Sequence, residues 1–147
     1  MADKLVAASD HAGLTLRLEA VKAARAFGLE VEDLGPFTAD SVDYPDFAVR
    51  VGEAVAAGRA RFGLLVCGTG IGMSMAANKV PGVRAALCRT EYEARMARAH
   101  NDANVLCLGE RVTGAGLATA IIEAFLATPF EGGRHARRVG KITALDR

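Results

Sequence analysis

The run Phe62-Gly63-Leu64-Leu65-Val66-Cys67-Gly68-Thr69-Gly70-Ile71-Gly72 decides how this chain folds. Residues 62–67 are apolar almost throughout and end at a glycine, the pattern of a short strand buried on both faces. The glycines that follow make a tight turn into a helix that continues through Asn78. The same alternation extends to either side. Upstream, residues 5–8 form a strand ending in Ser9-Asp10-His11, and residues 13–27 carry Leu14, Leu18, Val21 and Arg25 at helical spacing. Residues 31–34 are a second strand closed by Gly35-Pro36, and 44–57 a helix with Pro45 near its start, where proline is tolerated. Downstream come a strand over 83–88, a helix over 91–100, a strand over 105–108 and a helix over 116–126. Residues 132–145 close the chain as a helical segment. Strands that alternate with helices and are apolar along their length predict an α/β fold, a five-stranded parallel sheet covered on both faces.

Composition sets the outer bounds. The chain has 147 residues, 51% hydrophobic and 24% charged, which is the size and balance of one globular domain. No repeat, low-complexity tract or linker divides it, so residues 1–147 are read as a single domain. A net charge of +1 gives no global attraction to nucleic acid or to an anionic membrane. Apolar runs such as Leu64-Leu65-Val66-Cys67 are far too short to span a bilayer. Met1-Ala2-Asp3-Lys4 leads directly into a strand without a secretory signal pattern, so a cytoplasmic location is expected. Three widely spaced cysteines, Cys67, Cys88 and Cys107, make neither a disulfide framework nor a zinc pattern.

In open parallel sheets ligands bind beyond the carboxyl ends of the strands. That rule places Asp10 and His11, Cys67 with its glycine loop, and Glu110-Arg111 at one edge. Backbone N–H groups at a glycine-rich helix start suit an anion, and the same potential favours a thiolate at Cys67. The loop is not a dinucleotide fingerprint, because Met73 stands where the third glycine is needed, and no Gly-Lys-Ser/Thr makes it a P-loop. Singly, each feature has a plainer reading. Cys67 fits a tight turn, Asp10 a helix cap, and His100-Asn101-Asp102 a helix end. Arg134, His135, Arg137, Arg138 and Lys141 fit a solvated basic face, although Arg134 and Arg138 at i, i+4 share the side a phosphate clamp needs. Met73, Met75 and Met96 are read as core filler, Cys88 and Cys107 as packing, and Asp40, Asp43 and Asp46 as solvated acids. What shifts the balance is that all three histidines, His11, His100 and His135, lie beside a candidate feature.

Taken together, six blocks resemble the ribose-5-phosphate isomerase B family, which includes galactose-6-phosphate and related sugar-phosphate isomerases. They are Ser9-Asp10-His11-Ala12-Gly13, Asp43-Tyr44-Pro45, Cys67 to Gly72, Ala76-Ala77-Asn78-Lys79, His100-Asn101-Asp102-Ala103-Asn104, and Glu131-Gly132-Gly133-Arg134-His135 with Arg138. The resemblance implies a Rossmann-like α/β/α sandwich, a homodimer or dimer of dimers, and isomerisation of a sugar phosphate through an enediolate without metal or cofactor. It implies Cys67 as the base, His100 as the aid to ring opening, and Asp10 and Thr69 beside them in the catalytic set. Asp10 and Asn101 would hold sugar oxygens, and the amides from Gly68 through Gly70 and Ile71 to Gly72 would stabilise the enediolate. His11, Arg111, Arg134 and Arg138 would hold the phosphate, and Tyr44 would line the substrate site. Some relatives place an acidic base early in the following helix. Here that place is Met73, which accepts no proton. By topology His100 ends a helix that returns to the far edge of the sheet, so it would serve Cys67 of another subunit. Other readings are the same chemistry on a six-carbon or four-carbon sugar phosphate, a non-catalytic sugar-phosphate sensor, and a cysteine hydrolase.

Overall fold

Apolar runs become strands and the longer stretches become helices, in alternation, through a computed structural model that describes residues 3–147. Met1 and Ala2, part of the start read as leaderless, lie outside the described residues. Strands β1 (Lys4–Ser9), β2 (Glu30–Asp33), β3 (Phe62–Cys67), β4 (Ala85–Leu87) and β5 (Val105–Gly109) form one sheet, ordered β2-β1-β3-β5-β4. Every pairing in it is parallel. The helices are α1 (Leu14–Phe27), α2 (Tyr44–Ala56), α3 (Ile71–Ala77), α4 (Glu91–Asn101), α5 (Ala115–Ala127) and α6 (Arg134–Thr143). No described helix is long and apolar enough to cross a membrane.

Successive strand residues point to opposite faces, so the continuous apolar strands build two cores. Leu5, Ala7, Leu64, Val66, Leu106 and Leu108 pack under α1, α4 and α5. Val6, Ala8, Leu65, Cys67, Val105 and Cys107 pack under α2 and α3. The sandwich expected from the alternation is present, with two boundaries narrower than the sequence suggests. Residues 83–88 supply only a three-residue edge strand, since pairing with β5 begins at Ala85. The closing segment becomes helical only at Arg134, because Gly132 and Gly133 take φ values of +68° and +57° ahead of it.

The face of α1 differs from expectation. Of Leu14, Leu18, Val21 and Arg25 only Val21 belongs to its buried stripe; Leu18 is 52% exposed. The buried positions are Leu16, Arg17, Ala20, Val21, Ala23 and Ala24. Alanines let the helix lie close on the sheet, and the rotation that achieves this turns Arg17 inward. Its guanidinium is fully buried, donates to the Ser9 hydroxyl at 2.8 Å, and pairs with Asp33 through Nε–Oδ1 at 3.1 Å. Burial lowers the Arg17 pKa, and Asp33 opposes the shift without cancelling it.

Removing one member of a buried ion pair strands the other charge, which costs about 3 kcal/mol or more. Arg17→Ala is therefore expected to lower the urea midpoint by that equivalent, with an unchanged m-value. A loss under about 1 kcal/mol would show that Ser9 and Asp33 are adequately solvated without it.

Candidate active site

The register of β1 on β3 aligns Ser9 with Val66, so Asp10 and Cys67 leave the sheet side by side. Cys67 aligns in turn with Gly109, which brings Glu110 and Arg111 to the same edge. An open cavity of about 480 Å³ lies there, lined by Asp10, His11, Tyr44, the Cys67–Thr69 turn, Ile71, Gly72, Met75 and Arg111. The three groups assigned to one edge by the strand-end rule do meet.

Each side chain is held by a local bond. Asp10 caps the 3₁₀ turn over His11–Gly13, its Oδ1 accepting from the amides of Ala12 at 3.0 Å and Gly13 at 3.1 Å. The cap role and a place in the cavity thus coexist, and Oδ2 stays out of the cap bonds. Val42 donates its N–H to Nδ1 of His11 at 3.2 Å. A ring nitrogen that accepts carries no proton, so the neutral imidazole holds its hydrogen on Nε2, a donor for an anion. The Gly70 N–H is aimed at the Cys67 sulfur, 3.1 Å away. Gly70 takes φ +80°, and a Cβ there would stand 2.5 Å from Leu87 Cδ1, so the turn admits no side chain. Thr69 Oγ1 accepts from the Ile71 amide at 3.2 Å. Arg111 lies over the turn, its Nη1 3.1 Å from where a Gly68 Cβ would be, and Tyr44 lies against Gly72 in the same way. Glu110 turns away: its Oε1 accepts from the Leu16 amide at 2.7 Å and caps α1.

Two cysteines have no such setting. Cys88 and Cys107 are buried in strand-lined cores, and burial pushes the Cys88 thiol up to about 12 and that of Cys107 higher still. Their assignment to packing holds. That of Met75 does not. On the short α3, Met73 and Ala77 at i, i+4 take the core positions, leaving Met75 65% exposed at the cavity.

The remaining candidates are elsewhere. α4 runs from the edge that follows β4 back to the edge where β5 begins, and β5 pairs there with Gly63, at the start of β3. Four residue steps along the strand separate Gly63 from Cys67, roughly 13 Å, so His100 and Asn101 sit across the sheet from the thiol. Asn101 borders a second cavity of about 430 Å³ with Asn78, Arg84, Ile142 and Leu145. Arg134 and Arg138 are exposed on α6, which packs on α4. His135 faces the other way and is buried, its ring stacked on that of His100 with centroids 4.1 Å apart and planes 7° from parallel. Glu131 Oε1 lies 3.6 Å from His135 Nε2 and 3.8 Å from His100 Nε2. Burial lowers the His135 pKa, helped by His100, Arg134 and Arg138 and opposed by Glu131. The sequence marked both histidines but gave no sign that they touch. It also missed the Val42 contact, which uses only backbone and so leaves no signature in residue type.

The family profile described as Ribose/Galactose Isomerase matches residues 5–142. Ribose-5-phosphate isomerase B of Escherichia coli is 46% identical over 143 residues, covering 97% of this chain and 96% of that protein. The structure of type B ribose 5-phosphate isomerase from Trypanosoma brucei superposes with a TM-score of 0.97 at 50% identity, covering 99% of this chain and 100% of that one. Ribose-5-phosphate isomerase B of Mycoplasma genitalium, solved with bound ribulose-5-phosphate, gives 0.92 at 45% identity, covering 96% and 94%.

Two outcomes follow from the site. Iodoacetamide should modify the native protein once per chain, at Cys67, as read by peptide mass; prior modification of Cys88 or Cys107 would contradict the assignment. His135, with its native pKa below the ordinary 6.5, stays unprotonated in a window where the unfolded chain already binds a proton. Its stabilising contribution is complete above pH about 6.5 and is lost as pH falls through that window. The urea midpoint should fall between pH 7.5 and 5.5, and His135→Gln should flatten part of that slope.

Proposed function

The chain belongs to the ribose/galactose isomerase family, and on that footing we propose that it interconverts ribose 5-phosphate and ribulose 5-phosphate with Cys67 as the base. The observation that carries the base assignment is Cys67 itself, a thiol at a strand end with a backbone N–H directed at its sulfur and the cavity in front of it. The whole chain acts as one unit in this reading, in the cytoplasm.

Isomerisation moves one hydrogen between neighbouring carbons. With the sugar ring open, the Cys67 thiolate takes the proton from C2 of the aldose. The C1 carbonyl becomes an enediolate oxygen, and amides of the Gly68–Gly72 turn stabilise its charge. The proton returns to C1, the O2 hydroxyl gives up its hydrogen toward O1, and the product is the ketose with the thiolate restored. Asp10 Oδ2 holds a sugar hydroxyl, and Thr69 and Ile71 fix the turn. A base whose pKa lies near working pH, together with preorganised donors, is what such a transfer requires. His11 donates through Nε2 to the phosphate, with Arg111 beside it, and this remote binding orients the reacting carbons.

His100, Asn101, Arg134 and Arg138 belong to the opposite edge of the sheet, so they complete this machinery only in a homodimer, alone or paired into a dimer of dimers. In such an assembly His100 of the partner subunit opens the ring, the partner's Asn101 holds a sugar oxygen, and the partner's Arg134 and the partner's Arg138 clamp the phosphate. A second copy makes every half-site whole at once, because a two-fold interface presents the same two surfaces reciprocally.

Turnover of ribose 5-phosphate, measured beside six-carbon and four-carbon aldose phosphates, tests the reading. Cys67→Ala should abolish turnover, by about 10²-fold or more, and still bind the sugar phosphate. Preference for another sugar phosphate would change the substrate and keep the base. A folded Cys67→Ala protein with full activity would exclude the thiol as base.

A further inference from the structure

We propose that His100, Glu131 and His135 form a transition-metal site, and that a zinc-class ion bound there silences the enzyme by occupying His100. Among the described residues this is the one place where three such groups converge, their ligand atoms all within 4.8 Å of one another. The donor set is two imidazole nitrogens and one carboxylate oxygen. That combination suits Zn²⁺, Co²⁺, Ni²⁺ or Cu²⁺ rather than Mg²⁺ or Ca²⁺, which prefer oxygen throughout.

The two Glu131 distances are close to those an ion would impose. Bonds of about 2.0–2.2 Å in a tetrahedron place ligand atoms about 3.3–3.6 Å apart. Glu131 Oε1 lies 3.6 Å from His135 Nε2 and 3.8 Å from His100 Nε2. The backbone builds this convergence. Gly132 and Gly133, with positive φ, fold the chain so that Glu131 and His135 face one another at i, i+4. The Glu131 amide donates to the Ala99 carbonyl at 3.0 Å, which pins that turn to the end of α4 beside His100. His135 is buried and fixed, whereas the side chains of His100 and Glu131 are 39% and 56% exposed. Parallel rings do not aim their lone pairs at one point, so binding requires the freer His100 ring to swing out of the stack. Three protein ligands leave a fourth position for water.

The inhibitory consequence rests on the ring-opening role proposed for His100; the binding does not. A metal on His100 Nε2 removes the lone pair and the proton that ring opening uses, so turnover stops. Cobalt(II) is titrated into the purified, full-length protein by calorimetry and visible absorption, with zinc as competitor. One ion per chain is expected, with binding retained in Cys67→Ser. Glu131→Gln, an exposed and nearly isosteric change, and His135→Gln should each weaken binding at least about tenfold, since loss even of an outer-shell partner costs that much. Turnover should fall with zinc and recover with EDTA, and Glu131→Gln should need at least about tenfold more zinc for the same loss. Absence of stoichiometric binding, binding unchanged in Glu131→Gln, or binding lost in Cys67→Ser would overturn the site. Stoichiometric binding without inhibition supports the site and counts against ring opening by His100, so the two readings fail separately.

Discussion

Everything at the carboxyl edge depends on how closely the ends of β1 and β3 approach. The Asp10 amide donates to the Val66 carbonyl at 3.2 Å, continuing the strand ladder one residue beyond β1. The turn after Asp10 then lies on β3 so tightly that a Cβ on Gly13 would stand 2.5 Å from the Val66 oxygen. The strand order reverses direction between these two strands, with β2 on one side and β5 and β4 on the other. Helices therefore leave to opposite faces and open a crevice above the strand ends, the place where such sheets bind ligands. β5 closes the third side with equal economy of space: a Cβ on Gly109 would meet the Thr69 backbone at 2.5 Å. Thiol, carboxylate and guanidinium thus sit on strand ends or one turn from them, where the ladder holds them more firmly than a free loop would.

The same topology divides the machinery. A helix that leaves the carboxyl edge must return to the amino edge before the next parallel strand begins, and α4 carries His100 and Asn101 back with it. The stack of His100 on His135 and the Glu131 contact tie α6 to that returning end. In consequence Arg134 and Arg138, proposed to clamp the phosphate, travel with His100, proposed to open the ring, and not with Cys67. On the proposed dimer the base and its amides come from one copy while ring opening and part of the phosphate grip come from another. Neither half then turns over substrate by itself, although each is fully formed within one chain.

Strands and their order of use were legible because buried parallel strands leave an unbroken apolar run, and the strand-end rule then sorted Asp10, Cys67 and Arg111 together. The rotation of α1 was not. Its alanines carry almost no amphipathic signal, and the one strong marker on the buried face is a charge, Arg17, whose partners Ser9 and Asp33 lie on two other elements. Periodicity scores such a charge against the core, while the fold satisfies it there. Met75 failed for the reverse reason: an apolar side chain is free to border a cavity when the helix is too short to bury more than one stripe. Contacts between distant segments, Val42 with His11 and His135 with His100, lie beyond any local pattern because they depend on where loops end.

The proposal of Cys67 as base fits the packing of α3. The resemblance allows an acid early in that helix, where this chain has Met73. Met73 is fully buried in the core that α2 and α3 build on the sheet. A carboxylate at that position would lose its hydration, and burial disfavours its charged form, which raises the pKa toward the range a proton-transfer base needs. With methionine in the core instead, packing is satisfied and no proton acceptor remains on α3. In the proposed mechanism the adjacent strand end carries the function instead: Cys67 faces the same core, and its sulfur receives the Gly70 amide. Cys67 and Cys107, two thiols on the same face of neighbouring strands, differ in that amide and in the crevice in front of Cys67.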